Sequence, residues 1–209
     1  MKGIQLNFSN GQLIGTLTGQ ITKFLSYEAK IADLCELINS NEPLAYCITH
    51  DKESDKTILN IKGNDGKLYS QPTKYAIGET IEIDGTVDAF FRRYRTARNS
   101  PALRLAFMKE IKKLLALDDA ENRYYMRITD IKLVGASRIN AHDACDLGVC
   151  SLTICKRKSY YIPDFDTDSI TFYSTAHRAM MALAYKTLPQ NVVLNNRMCL
   201  MYEFEIFVK

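Results

Sequence analysis

Tryptophan is absent from this 209-residue chain, and histidine occurs only three times and proline five times. Without Trp, the 12 Tyr and 9 Phe must supply the large side chains of any core. The three histidines, His50, His142 and His177, belong to no recognisable triad motif, which leaves nucleophilic catalysis with little support. Glycine-rich phosphate loops are missing, as are Walker and Rossmann patterns, so nothing marks a nucleotide-dependent enzyme. No window approaches 18 apolar residues, and the opening MKGIQLNFSNGQ holds no apolar run of signal-peptide length. The expectation is a soluble, cytoplasmic chain without a membrane partner. Its six cysteines, at 35, 47, 145, 150, 155 and 199, would then be reduced. Asn7-Phe8-Ser9 matches a glycosylation acceptor, but without secretion the match is empty. There is no internal repeat and no low-complexity linker.

What is present is an ordinary globular balance, 46% hydrophobic and 24% charged, in a chain long enough to bury a core without staples. The charge is unevenly spread. From Ala89 to Lys113 there are eight basic residues (Arg92, Arg93, Arg95, Arg98, Arg104, Lys109, Lys112, Lys113) and one acid, Glu110. The whole chain carries only +3, so the remainder is net acidic. Val87, Phe90, Phe91, Tyr94 and Ala97 recur at helical spacing after Thr86, which predicts a capped helix with one aromatic face. Asn99-Ser100-Pro101 breaks it and opens a second helix with the core stripe Leu103, Phe107, Ile111, Leu114 and Leu115. Lys109, Lys112 and Lys113 share its opposite face. Two helices around a three-residue break resemble a helix-turn-helix, though the break lacks the Gly-containing turn of that motif. The plainer reading is a pair of core helices with a solvated face. Solvated faces, however, usually mix signs at i,i+4. One sign in excess points to an anionic partner, a nucleic acid or an acidic protein surface.

Strand and helix signals surround this region. Asn10-Gly11 predicts a hairpin turn between strands Ile4–Phe8 and Gln12–Leu17. Ser26 reads as the cap of a helix carrying Ile31, Leu34, Cys35 and Ile38, ended by Asn41-Glu42-Pro43. Leu44–Thr49, Thr57–Lys62, Lys67–Ser70 and Thr80–Asp84 read as strands, the middle two joined at Gly63-Asn64-Asp65-Gly66. Tyr124–Val134 and Val149–Lys156 read as strands. Thr175–Leu188 reads as a helix lined by Met180, Met181, Ala184 and Leu188. A last hairpin is expected around Asn195-Asn196. In its final strand Met198, Leu200, Tyr202, Phe204, Ile206 and Val208 alternate with Glu203, Glu205 and Lys209.

Three further constellations bear on chemistry. Lys156-Arg157-Lys158-Ser159-Tyr160-Tyr161 interleaves charge with aromatics and reads alone as an exposed strand end. Near the first basic patch it would extend a groove. His142, Cys145, Cys150 and Cys155 have the spacing H-x2-C-x4-C-x4-C, which resembles the gaps of the retroviral-type zinc knuckle. That family places its His third rather than first, and its turn glycines are missing here apart from Gly148. A strand through Val149–Ile154 would also turn Cys150 and Cys155 to opposite faces. Asp164, Asp166 and Asp168 resemble the start of an EF-hand loop. The sixth position is Ser169 rather than Gly, and the twelfth is Thr175 rather than Glu. A nuclease of the PD-(D/E)xK type would need Glu-x-Lys on a nearby strand, and Glu203 and Glu205 stand at the wrong distance from Lys209. An acidic turn that caps the next helix is the plainer reading of the aspartates.

The expected fold is therefore α+β, mainly antiparallel sheet with about four helices. One domain over 1–209 is expected, divisible into a core with the basic helices (1–134) and a C-terminal α+β part (135–209). The Leu44–Val134 block resembles an oligonucleotide-binding barrel, except that its helices follow the fourth strand and not the third. The expected function is non-catalytic nucleic-acid binding. Arg92, Arg93, Arg95, Arg98, Lys109, Lys112, Lys113, Lys156, Arg157 and Lys158 would hold the backbone, with Tyr94, Tyr160 and Tyr161 to stack on bases. The alternatives are a subunit or accessory of a protein assembly, as a virion component or a protein inhibitor, and a metal-dependent enzyme built on Asp164, Asp166 and Asp168. No metal or cofactor is expected for folding, and an oligomer is compatible with the sequence.

Overall fold

A computed structural model describes residues 15–17, 19–38, 45–51, 53–83, 124–163 and 170–208. The basic segment with Arg92, Arg93, Tyr94, Arg95, Arg98, Lys109, Lys112 and Lys113 lies outside the described residues, as do Asp164, Asp166 and Asp168.

The centre is a four-stranded antiparallel sheet in the order β1 (Lys23–Ser26), β10 (Met198–Val208), β6 (Tyr124–Gly135), β5 (Thr80–Glu82). Its two long strands are rich in β-branched and aromatic residues, which suit a pleated, half-buried surface. The pairing of β10 with β6 shifts between Glu203 and Phe204, where Glu203 faces Asp130 and Phe204 faces Ile128. Thr129 is the extra residue, and it reverses the parity of β6. Met126 and Ile128 before it, and Ile131 and Leu133 after it, thereby enter the same core as Leu200, Tyr202 and Phe204. At the heart of that core Phe24 stacks on Tyr202 with centroids 5.1 Å apart, and Tyr75 meets Tyr202 edge-on at 5.2 Å. Each such pair adds about 0.5–1.5 kcal/mol to area burial.

Helix α1 (Ala29–Leu37) closes this core with Ile31, Ala32 and Cys35. So does a second sheet, β2 (Tyr46–Asp51), β3 (Lys56–Lys62), β4 (Leu68–Pro72), through Leu59 and Ile61. The predicted turn at residues 63–66 joins β3 to β4, and Gly63 N bonds back to Lys67 O at 2.8 Å. Asn60, buried in β3, donates to Thr49 Oγ1 and accepts from Ser70 Oγ, so it ties the three strands together.

The opposite face of the central sheet carries Cys199 and Met201, which are buried in a second core. That core is made by α2 (Ala141–Asp146), α3 (Ala176–Thr187), α4 (Gln190–Leu194) and the third sheet, β7 (Cys150–Ile154), β8 (Arg157–Tyr161), β9 (Phe172–Tyr173). Helix α3 is capped by Thr175, whose side chain accepts from Arg178 N, and buries Met180 and Ala184 while Met181 is partly buried. Antiparallel sheets with four α-helices and one 3-10 turn make the described part α+β. None of its helices is long and apolar enough to cross a membrane.

Several local expectations are corrected. Ser26 ends β1 and caps nothing; Glu28 is the N-cap residue of α1, which ends at Leu37. Residues 15–17 are helical, not the end of a strand, and the rest of that predicted hairpin lies outside the described residues. The predicted strand 149–156 stops at Ile154 because the chain reverses there. No hairpin forms at Asn195-Asn196: Gln190–Leu194 is helical after Pro189, and β10 pairs with β1 and β6. The strands of the 44–134 block divide between two sheets, β2–β3–β4 and the β5–β6 edge of the central one.

Candidate nucleic-acid interface

The second basic cluster forms the tip and return strand of a hairpin. Strands β7 and β8 pair from Cys150↔Tyr161 to Ile154↔Arg157, which leaves Cys155 and Lys156 as a two-residue loop. Both loop residues have positive φ, 48° and 65°. This is the left-handed geometry of a type I′ turn, usually built from Asn and Gly. Strand β9 pairs with Tyr160 and Tyr161, so among the described residues the tip half of the hairpin is a two-stranded ribbon.

The base of the ribbon is fixed by its aromatics. Tyr161 is 3% exposed, with its ring edge-on to Phe172 at 5.8 Å. Its hydroxyl sits beside the thiol of Cys150, its cross-strand neighbour. Burial raises the Tyr161 hydroxyl pKa and pushes the Cys150 thiol up to about 11, so both stay protonated near neutrality. Tyr160 is half-buried against the second core, and the Lys158 ammonium lies 5.4 Å from its ring centroid. Neither tyrosine offers the open face that a stacked base requires.

The tip is different. Lys156, Arg157 and Lys158 are all exposed, and none forms an ion pair among the described residues. Several cations elsewhere are held by carboxylates. Lys23 is held by Asp143 and Asp146, Arg127 by Glu205, Lys132 by Asp130, and Arg197 by Glu36. Cations already paired to carboxylates brace the fold. Three adjacent exposed cations, with no such partner among the described residues, are open to solvent and to anions.

The knuckle-like set is pulled apart. Cys150 begins β7 and Cys155 lies in the turn just beyond its end, past four strand steps that span roughly 13 Å. Two thiolates on one zinc, each bonded at about 2.3 Å, cannot be that far apart. The six cysteines are free: Cys35 and Cys199 are buried, and Cys47, Cys145 and Cys155 exposed. His142 is drawn instead to Asp146, its Nδ1 lying 3.1 Å from that carboxylate. Among the described residues the one group with metal-ligand proximity is His142, Asp143 and Asp146. An ammonium already stands between its carboxylates, since Lys23 Nζ lies 2.7 Å from Asp143 and 2.8 Å from Asp146. Burial would depress that lysine, but the hydrogen bonds to the two aspartates prevail and raise its pKa above the ordinary value. The sequence signal for Lys23 is a lysine inside the apolar run Ile21–Leu25, and sequence reasoning passed over it.

A second buried ionisable pair sits in the first core. Glu28 accepts from Tyr202 Oη at 2.5 Å and from Lys74 N at 3.0 Å. Burial raises the Glu28 pKa, against the lowering effect of these bonds. All its contacts are made within the fold, so its place is structural.

The chain matches no protein-family model, no curated protein and no solved structure.

Proposed function

We propose that this chain is a non-catalytic nucleic-acid-binding protein that grips the phosphate backbone through exposed cations. The observation that carries this reading is the exposed run Lys156, Arg157, Lys158 at the turn of the β7–β8 ribbon, which has no ion pair among the described residues. The basic residues Arg92, Arg93, Arg95, Arg98, Lys109, Lys112 and Lys113 add to it. Their segment connects β5 to β6, and its sequence carries most of the chain's positive excess. In this reading Tyr160 braces the ribbon and does not stack, and stacking falls to Tyr94. The likeness of the 44–134 block to an oligonucleotide-binding barrel belongs to the same proposal.

The test is a fluorescence-anisotropy titration of labelled oligonucleotides at several salt concentrations. Affinity should fall steeply with salt, each neutralised phosphate contributing about 0.9 to the log–log slope. No binding at low salt would refute the reading. A second reading, a subunit of a protein assembly, is favoured by β2, an edge strand with five of its six residues exposed. Sedimentation of the purified chain alone and with its native extract fraction would detect such an assembly.

A further inference from the structure

We propose that the β7–β8 ribbon enters the major groove of duplex DNA, an inference that rests on the nucleic-acid reading above and names its ligand. The ribbon's shape is the first ground. Its free part comprises the pairs Leu152↔Ser159, Thr153↔Lys158 and Ile154↔Arg157 beyond the reach of β9. Three residues of strand extend about 10 Å, and a two-stranded ribbon with side chains is about 10 Å thick. The major groove of B-form DNA is about 12 Å wide and 8.5 Å deep and admits such a ribbon.

The placement of charge is the second ground. Side chains alternate along a strand, so Arg157 belongs to the face that carries Tyr161, and Lys158 to the face that carries Tyr160. Lys156 stands at the turn between them. One cation on each face and one at the end suit a groove with a phosphate-lined wall on either side and base edges at its floor. A flat acidic surface would engage only one of those faces. Ser151 and Thr153, both exposed on β7, add hydroxyls that donate to or accept from base edges.

The third ground is what the ribbon withholds. Single-stranded nucleic acid is held mainly by stacking on aromatic rings. Here Tyr161 is buried and Tyr160 is packed against the second core beneath Lys158. Duplex RNA is disfavoured by its own geometry, because its major groove is too deep and narrow for side chains to read.

The experiment uses the full chain and a variant carrying Lys156→Ala, Arg157→Ala and Lys158→Ala. These three residues are exposed, so the fold should be retained, which circular dichroism and the urea midpoint verify. Both proteins are titrated by anisotropy with DNA duplex, RNA duplex and single-stranded DNA of roughly 20 nucleotides, two helical turns of duplex. The wild type should prefer the DNA duplex, and guanine N7 methylation of that duplex should weaken binding about tenfold or more, while a minor-groove ligand such as netropsin should not compete. Three phosphate contacts correspond to a slope of about 2.7, so the variant should lose about 40-fold less affinity than wild type between 50 and 200 mM salt. The loss at low salt should be largest on the DNA duplex. Binding of nucleic acid that prefers single strands, or that the variant leaves unchanged, would overturn the ribbon proposal while sparing the broader reading. Absence of binding to every nucleic acid would overturn both, and binding of the ribbon to acidic polypeptides alone would replace the DNA duplex by a protein.

Discussion

Replacing Cys155 by Asn together with Lys156 by Gly should stabilise the fold and weaken its binding at once. Both residues sit in the left-handed region, at φ 48° and 65°, in a two-residue loop. A residue such as Cys or Lys carries roughly 1–2 kcal/mol of penalty there, whereas Gly, which lacks a Cβ, and Asn, whose short polar side chain bonds locally, tolerate it. Relief at the two positions therefore totals about 2 kcal/mol, from which glycine's larger loss of chain entropy subtracts about 0.5–1 kcal/mol. The net gain is about 1 kcal/mol. For a chain of this size it should raise the thermal midpoint by about 2–4 °C. With a slope near 2.5 kcal/mol per molar it should raise the urea midpoint by about 0.4 M. The denaturation curves should shift without a change of slope. The same variant lacks one tip cation, so the salt slope of nucleic-acid binding should fall by about 0.9. An unchanged or lowered midpoint would show that the loop holds no strain. A raised midpoint with unchanged binding would show that Lys156 meets no phosphate.

Two further tests concern the buried ionisable groups. Lys23→Met should destabilise the protein by about 3 kcal/mol in urea melts at neutral pH, because Asp143 and Asp146 would then face each other with no cation between them. Lys23 has a raised folded-state pKa, so its contribution is complete below the ordinary lysine value of 10.5 and is lost as pH rises through the folded value. The alkaline fall in wild-type stability should be absent from the Met variant. Glu28 also has a raised folded-state pKa, so its contribution is present below the ordinary value of 4.5 and lost as pH rises through the folded value. Glu28→Gln keeps an acceptor for Tyr202 and Lys74, and it should abolish that mildly acidic limb in a series of urea midpoints against pH.

The elements that sequence reasoning located are those whose own residues decide their structure. Strand β6 announces itself by a long β-branched and aromatic run, α3 by Thr175 before a helical stripe, and the β3–β4 turn by Gly63-Asn64-Asp65-Gly66. Those misread depend on distant partners. Strand β1 is short and contains a lysine, and it becomes a strand because β10 lies beside it and Asp143 and Asp146 accept its charge. Ser26 resembles a cap, but it is already committed to pairing with Leu200. The β7–β8 reversal carries none of the Asn or Gly that mark a tight turn. Pairing along the two arms and the buried Tyr161 at the base impose it instead. Of the site, the run from Lys156 to Lys158 was legible as charge. Its place on a two-stranded ribbon was not, because that follows from how short β9 is. The zinc-like spacing misled because sequence distance along an extended strand becomes real distance.

The position of β10 has a consequence for how the molecule is made. The last described strand, β10, lies inside the central sheet between β1 and β6, and pairs Glu203 with Lys23. During synthesis β1 and β6 emerge long before the segment that joins them. Until residues 198–208 leave the ribosome, both strands present unpaired backbone edges and neither core is closed on the side that Leu200, Tyr202, Cys199 and Met201 will fill. Sheet closure is therefore a late event with a large loop to close, the condition that slows folding and exposes nascent strands to wrong pairing. Translation must run through β10 before this protein has a centre.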